Sequence, residues 1–216
     1  SLPIDLEAVS SIDLIGGLSG IGAYAGALNF STDPLRPRYL RAEVTGGQYG
    51  YLYGNISGAT SSNGLSVMAA GSFRQSDGYI QNTDFANINL YTRINYSSSK
   101  TGLFDIQAGF QDRAWGSNGF YSLAYPNQFE HTRTLLGSAR WSRDTGNWTT
   151  NAHVSYRKNQ DRFDLYRDGI GAPNSTWRPN YHVTDNVGAE ASVDYHWRQA
   201  GKSSLGVDYT FNHIYS

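Results

Sequence analysis

The sequence contains no cysteine, which excludes disulfides and thiolate metal sites without fixing a compartment. It has no run of about 18 apolar residues, so no segment reads as a membrane-spanning helix. It has almost no net charge: 17 Lys and Arg face 18 Asp and Glu, for a balance of −1. No bulk attraction to nucleic acid follows from that, and none is expected. Leu and Ile are sparse, and there is one Met. What is present instead is Gly (24), Tyr (16) and abundant Ser in 216 residues, enough for one domain or a large piece of one. Low average hydropathy leaves a membrane barrel open, because half of each barrel strand is polar.

The stretch "NVGAEASVDYHW" (186–197) alternates strictly. Val187, Ala189, Ala191, Val193, Tyr195 and Trp197 share one face; Gly188, Glu190, Ser192, Asp194 and His196 share the other. A period of two is a strand with one apolar and one polar face. About nine such segments follow residue 38, near 39–47, 50–60, 64–74, 86–97, 102–112, 132–142, 147–157, 186–198 and 203–213. Most are about ten residues, the length at which a tilted strand crosses a bilayer. "SSNG", "SSSKTG", "RDTGN" and "RQAGKS" read as tight hairpin turns. Between them fall longer connections near 75–86, 112–131 and 158–185. Short turns at one end and long loops at the other are the pattern of a bacterial outer-membrane barrel.

The faces agree. The apolar rows, such as Leu40–Ala42–Val44, Phe104–Ile106–Ala108–Phe110 and Leu205–Val207–Tyr209–Phe211, carry no Asp, Glu, Lys or Arg. Charges sit opposite, at Arg41, Glu43, Arg93, Asp105, Arg140, Glu190, Asp194 and Asp208. Aromatics collect at both ends of the apolar rows: Tyr96, Phe104, Trp141, Trp148, Tyr195 and Trp197 near the short turns, Phe73, Phe110, Tyr156, Tyr209 and Phe211 near the long loops. Two aromatic girdles around an aliphatic band suit a lipid-facing surface. The fold class expected is all-β: an antiparallel transmembrane β-barrel portion. An all-antiparallel barrel needs an even strand count. Nine strands therefore mean either a small eight- or ten-stranded barrel or a larger barrel continuing past residue 216. No signal peptide precedes Ser1, and "HIYS" lacks the terminal aromatic many such barrels carry, so a piece of a longer chain is expected.

The first residues differ. "IGGLSGIGAYAGALNFST" (15–32) is dense in Gly and Ala. Gly20-Ile21-Gly22 does not make a nucleotide loop, because position 25 is Ala25 and no Rossmann-like unit surrounds it. The run Leu18, Gly20, Ala23, Gly26, Ala27, Leu28, Asn29, Phe30 resembles the end of the plug domain in TonB-dependent outer-membrane receptors, in the form common among Bacteroidetes. That family reads Leu-Tyr-Gly-x-x-Ala-x-Gly-Gly-hydrophobic-hydrophobic-Asn before its first barrel strand. "IDLEAVSSIDLI" resembles the preceding strand; the usual Arg-Gly-Pro is absent and Ser19 stands where Tyr is usual. "SDGYIQNTDF", "NLYTRINY" and "GSNGFYSLAYPNQFEHTRT" resemble early barrel segments and loops of vitamin B12 and siderophore receptors.

The resemblance implies the end of a plug over residues 1–37 and the first part of a barrel of about 22 strands over 38–216. It implies uptake of a scarce, bulky nutrient, ordered as cobalamin-like cofactor, iron chelate, then oligosaccharide. The implied partners are outer-membrane lipid, the nutrient, the TonB energy-coupling complex acting through an N-terminal region not contained here, and a surface lipoprotein. The implied place is the outer membrane of a Gram-negative bacterium. Two other classes stay open from the residues: a small outer-membrane barrel serving as adhesin or structural anchor, and a soluble β-sandwich that binds carbohydrate.

Candidate sites lie in the long connections. Trp115, Phe120, Tyr121 and Tyr125 are aromatics among Gly, Asn and Ser, the makings of ligand capture or simply of loops packed together. Cobalamin receptors of the family bind calcium through loop carboxylates, which makes Asp77 and Asp84 the metal candidates, although seven-residue spacing is no EF-hand and ordinary solvated carboxylates fit as well. Tyr166, Trp177 and Tyr181 with Arg162, Arg167 and Arg178 could meet an anionic ligand or a lipopolysaccharide phosphate. The five histidines show no metal-ligand spacing, no nucleophile–base pair stands out, and no resident cofactor or enzyme activity is expected.

Overall fold

The structure, a computed structural model, describes residues 11–16, 26–31, 38–174, 176–198 and 200–216. Two short strands, β1 (Ser11–Gly16) and β2 (Gly26–Ser31), pair antiparallel as a sheet of their own. Of the plug-like motif, Gly26–Phe30 fall in β2, while Leu18, Gly20 and Ala23 lie outside the described residues.

Nine further strands form one sheet: β3 (Tyr39–Gly46), β4 (Leu52–Ser62), β5 (Leu65–Ser76), β6 (Phe85–Ser98), β7 (Gly102–Gly116), β8 (Phe129–Thr145), β9 (Trp148–Asp164), β10 (Asn180–His196) and β11 (Lys202–Tyr215). Each is antiparallel to the next, in strict sequence order, and β3 and β11 have a partner on one side only. The nine segments read from alternation correspond one to one with these strands.

The sheet is rolled, and the two faces show it. The apolar rows are exposed: Leu40 is 79% accessible, Val154 54% and Val207 68%. The opposite rows are covered: Met68 is 2% accessible, Gln111 5% and Thr134 0%. The apolar rows are thus the exposed face of the sheet and the polar rows the covered one. The described residues hold no second sheet packed on the apolar rows, as a soluble sandwich would have. Nor do β3 and β11 pair to close a small barrel.

On the inner wall, neighbouring polar groups pair across strands. Asn55, Ser72, Asn89, Gln111, Thr134 and Asn159 are successive cross-strand partners on β4 to β9, a belt of neutral amides and hydroxyls at one height. Asn89 Nδ2 donates to Ser72 Oγ (3.2 Å), Gln111 Nε2 to Asn89 Oδ1 (2.7 Å) and Thr134 Oγ1 to Asn159 Oδ1 (2.7 Å). Five of the six residues are buried, where an unpaired amide would be costly. Below the belt, Tyr91 donates to Gln107 Oε1 and Arg93 pairs with Asp105.

At the short-turn end the girdle rings touch one another. Trp148 and Tyr195 pack edge-on at 4.7 Å, and Tyr195 and Trp197 at 4.5 Å. The indole N–H groups turn toward the connections: Trp141 Nε1 donates to Thr101 O and Trp197 Nε1 to Ser203 Oγ, both at 2.8 Å. Apolar ring outward and N–H toward the wet end is the orientation a bilayer interface favours.

The tightest turn is Asn63-Gly64, with φ of 49° and 78°. Both residues in the left-handed region is what a two-residue hairpin matching strand twist requires. A Cβ at Gly64 would also collide with the Ser97 carbonyl of the neighbouring turn. Gly64→Ala is expected to lose more than about 1 kcal/mol of stability, read as a lower denaturant midpoint; an unchanged midpoint would contradict this geometry.

The upper ends of the strands depart from the alternation. β8, β9 and β10 each run 17 residues, and the long loops narrow to 77–84, 117–128 and 165–179. Near "FEHTRT" and "RKNQDRFD" polar and charged residues fall on both faces, so hydrophobic alternation fades while the backbone ladder continues. Cross-strand contacts to a carboxylate hold these extensions: Asp112 accepts hydrogen bonds from His131 Nε2 (2.7 Å) and Arg133 Nε (2.5 Å).

A candidate ligand-capture site at the long-loop end

Antiparallel order puts the 47–51 turn and the three long loops at the same end of the sheet. They are tied together. Asp77 N donates to Tyr49 O at 2.8 Å, and Tyr49 and Tyr79 pack edge-on at 6.5 Å. Asn82 Nδ2 lies 2.9 Å from Pro126 O and 2.6 Å from Gln128 O, so one amide group joins the first loop to the second. Asn118 Nδ2 returns a bond to Gln81 O at 2.7 Å. Gln128, fully buried, accepts from Tyr121 N and donates to Ser122 O, fixing the second loop from within.

The third loop is clamped by Arg167. Its guanidinium meets Asp84 with two bonds (2.6 and 2.9 Å), donates to Asn82 Oδ1 (3.1 Å) and lies over the Phe129 ring at 4.5 Å. Its backbone N–H donates to Asn127 O. The hydrogen bond to Asp84 holds the Arg167 proton more tightly than usual, against the opposing effect of burial. Asp164, almost inaccessible, takes bonds from Arg162, Trp177 Nε1 and Tyr166 N. Bidentate Arg–carboxylate geometry is the strong kind. Arg167→Ala is expected to open the 165–179 loop to limited proteolysis at rates well above wild type, with the rolled sheet retained; equal cleavage rates would refute the clamp.

The sequence-read residues divide. Phe120 and Tyr121 are exposed and pack edge-on at 4.9 Å; Tyr121 continues to Phe163 at 5.3 Å. The Tyr121 hydroxyl donates to Glu130 (2.8 Å), which raises its pKa, with burial adding to the shift. Tyr125 stacks edge-on against Tyr166 (5.7 Å), which meets Trp177 (5.1 Å), so it joins loops. Trp115 is not in either group. It ends β7 on the inner face, between Phe85 and Glu130 in the ladder. Asp84 has both oxygens on Arg167, and Asp77 packs against Gly50, where any Cβ would run into its carboxylate. Among the described residues no group of three or more His, Asp or Glu could hold a metal ion.

Alternation alone did not reveal a cavity of about 400 Å³ on the inner wall below these loops, lined by Arg74, Phe85, Asn87, Arg113 and Trp115. Arg74, Asn87 and Arg113 are cross-strand partners on β5, β6 and β7. Their signal was present as polar residues near strand ends. Pairing register, which only the assembled sheet supplies, makes them one row.

No family model matches the sequence, and no curated protein matches it significantly. Solved structures do match. The siderophore receptor PiuA from Acinetobacter baumannii aligns at TM-score 0.66 and 16% identity over 97% of this chain and 36% of its own. The copper transporter OprC aligns at 0.70 and 20%, over 98% of this chain and 35% of its own. The pyoverdine outer membrane receptor FpvA from Pseudomonas aeruginosa PAO1, bound to pyoverdine, aligns at 0.69 and 12%, over 98% and 36%. The chain thus spans about a third of the length of the structures it matches. At these identities the likeness shows the fold: an open, all-antiparallel portion of the type of barrel found in outer-membrane receptors.

Proposed function

We propose that this chain is part of a TonB-dependent outer-membrane receptor that imports a scarce, bulky nutrient. Residues 1–37 would be the end of its plug and 38–216 the first nine strands of its barrel. The observation that carries the reading is the orientation of the sheet. Its aliphatic and aromatic rows face outward with no described residue packed over them, and its amide, hydroxyl and charged rows face inward. Hydrocarbon is the solvent that suits the first, and water or a polar plug the second. The unpaired ladders of β3 and β11 call for further strands on both sides.

In this reading outer-membrane lipid covers the apolar band in a Gram-negative cell. The exposed Tyr79, Phe120, Tyr121 and Leu123 rim meets the nutrient from outside. A TonB complex supplies the pull through a plug region outside this chain, and a surface lipoprotein is a further candidate partner above the loops. Loop calcium at Asp77 and Asp84 finds no support in their present contacts. The ligands named for the matching structures, siderophores and copper, favour a metal chelate over the cobalamin that the loop resemblance put first.

The test is nutrient uptake by cells expressing the full-length gene, with and without a working TonB. Growth on ferric chelates or cyanocobalamin as sole source, lost when TonB is deleted, is the expected result. Uptake independent of TonB, or none of any probe, would overturn the reading.

A further inference from the structure

The outward surface carries an inference about which lipid lies against its short-turn end, resting on the membrane reading above. Arg143 follows Trp141 by two residues on the same face of β8, opposite Thr150 on β9. Lys100 stands in the β6–β7 turn, whose Thr101 carbonyl accepts from Trp141 Nε1 at 2.8 Å. Gly102 packs so close to β8 that a Cβ there would collide with Ser142 O and lie 2.9 Å from Arg143 Cβ. The turn bearing Lys100 and the strand end bearing Arg143 are therefore neighbours. Both residues are exposed, and among the described residues neither side chain has a hydrogen-bond or ion-pair partner. Arg198, in the β10–β11 turn, is a third such cation. Lys202 differs, because it holds Asp194 of the inner face at 3.2 Å.

No acid balances these cations. From the girdle to the short turns of β6–β11, the outward side holds no Asp or Glu among the described residues. The carboxylates at this end belong to the inner face and are engaged: Asp105 by Arg93, Asp144 by Thr149 Oγ1 (2.6 Å) and Asp194 by Lys202. The long-loop end is different. There Asp112 lies on the outward side with His131 and Arg133, and Asp185 lies opposite Lys158 and takes the Tyr156 hydroxyl. Two strand residues carry Arg143 roughly 7 Å past Trp141. The polar layer of a bilayer is about 5–7 Å deep on each side of the hydrocarbon. With Trp141 at the girdle, the Arg143 guanidinium stands at the height of headgroup phosphates.

We propose that Lys100 and Arg143, beside Trp141, seat the phosphate of an anionic phospholipid such as phosphatidylglycerol. Arg143 offers phosphate oxygens a fork of N–H donors, and Lys100 adds a point charge. Selection comes from the rest of the headgroup. A zwitterionic lipid brings an ammonium group, and this face offers it no carboxylate. A glycerol headgroup brings only hydroxyls. Lys100→Gln with Arg143→Gln keeps polar side chains of similar length and removes the selection.

The experiment is native mass spectrometry of the full-length protein in detergent, titrated with phosphatidylglycerol or with phosphatidylethanolamine of the same acyl chains. The fold of each variant is checked by its β-sheet circular dichroism. Wild type is expected to bind phosphatidylglycerol at least about 10-fold more tightly than phosphatidylethanolamine, and the double variant to bind the two within about 2-fold. Lys158→Gln, an outward cation at the long-loop end, is expected to keep the preference of wild type. An equal loss in Lys158→Gln and the double variant would mean diffuse attraction and overturns the seat. A preference unchanged in the double variant overturns it too. So does binding of neither lipid, or no preference in wild type, while leaving the transport reading intact. A preference that depends on Lys100 and Arg143, with no TonB-dependent uptake of any nutrient in cells, upholds the seat and overturns the transport reading.

Discussion

Ala191→Arg is expected to cost the protein about 2–4 kcal/mol of stability in a bilayer, and Ser192→Arg much less. The two residues are neighbours in β10 and differ only in face. Ala191 lies between Ala152 and Val207 on the exposed aliphatic band, midway between Tyr195 at one girdle and Val187, the cross-strand partner of Tyr156 and Phe211, at the other. In a bilayer a guanidinium there would have hydrocarbon around it, and its cross-strand neighbours Ala152 and Val207 offer no partner. Ser192 points inward, where its Oγ accepts from Asn151 Nδ2 at 3.4 Å. An arginine at that position loses one weak hydrogen bond but keeps water and the polar wall as solvent. Reversible unfolding in lipid vesicles measures both. Equal losses would mean that the faces are misassigned, and with them the membrane reading.

Arg93→Ala should be the most damaging single change on the inner wall, about 3 kcal/mol. Arg93 meets Asp105 through two nitrogen–oxygen contacts, the Nε one at 2.9 Å, with side-chain accessibilities of only 17% and 14%. Removing the arginine takes the cation from a carboxylate only 14% accessible, with Gln107 Nε2 at 3.4 Å still donating to it. The low end of the usual range applies because the wall is not fully dry. Arg93→Met combined with Asp105→Leu should recover most of the loss, because it removes both charges rather than stranding one. A double variant as unstable as Arg93→Ala would show that the pair matters for packing rather than for charge balance.

The sequence reading and the structure coincide where the physics is local. Alternation over 186–197 marks β10 because successive strand residues must point to opposite faces. "SSNG" marks the β4–β5 turn because Asn and Gly tolerate the left-handed backbone that a two-residue hairpin needs. The reading falls short where the solvent no longer differs between faces: above the girdle, Arg133, Lys158 and Asp161 leave no hydrophobic rhythm, though the strands continue. It also falls short on the loops, where Trp115 and Tyr125 are aromatics of one segment but have different surroundings.

From its own letters the chain determined that nine strands exist, that each has an apolar and a polar side, and which end carries the short turns. Such properties follow from side-chain periodicity and turn chemistry within a dozen residues. Only the tertiary structure decided that the polar side is wrapped inward, that Arg167 reaches Asp84 across 83 positions, and that Arg74, Asn87 and Arg113 form one row. Curvature and register depend on how every strand pairs with its neighbours, and no single segment contains that information.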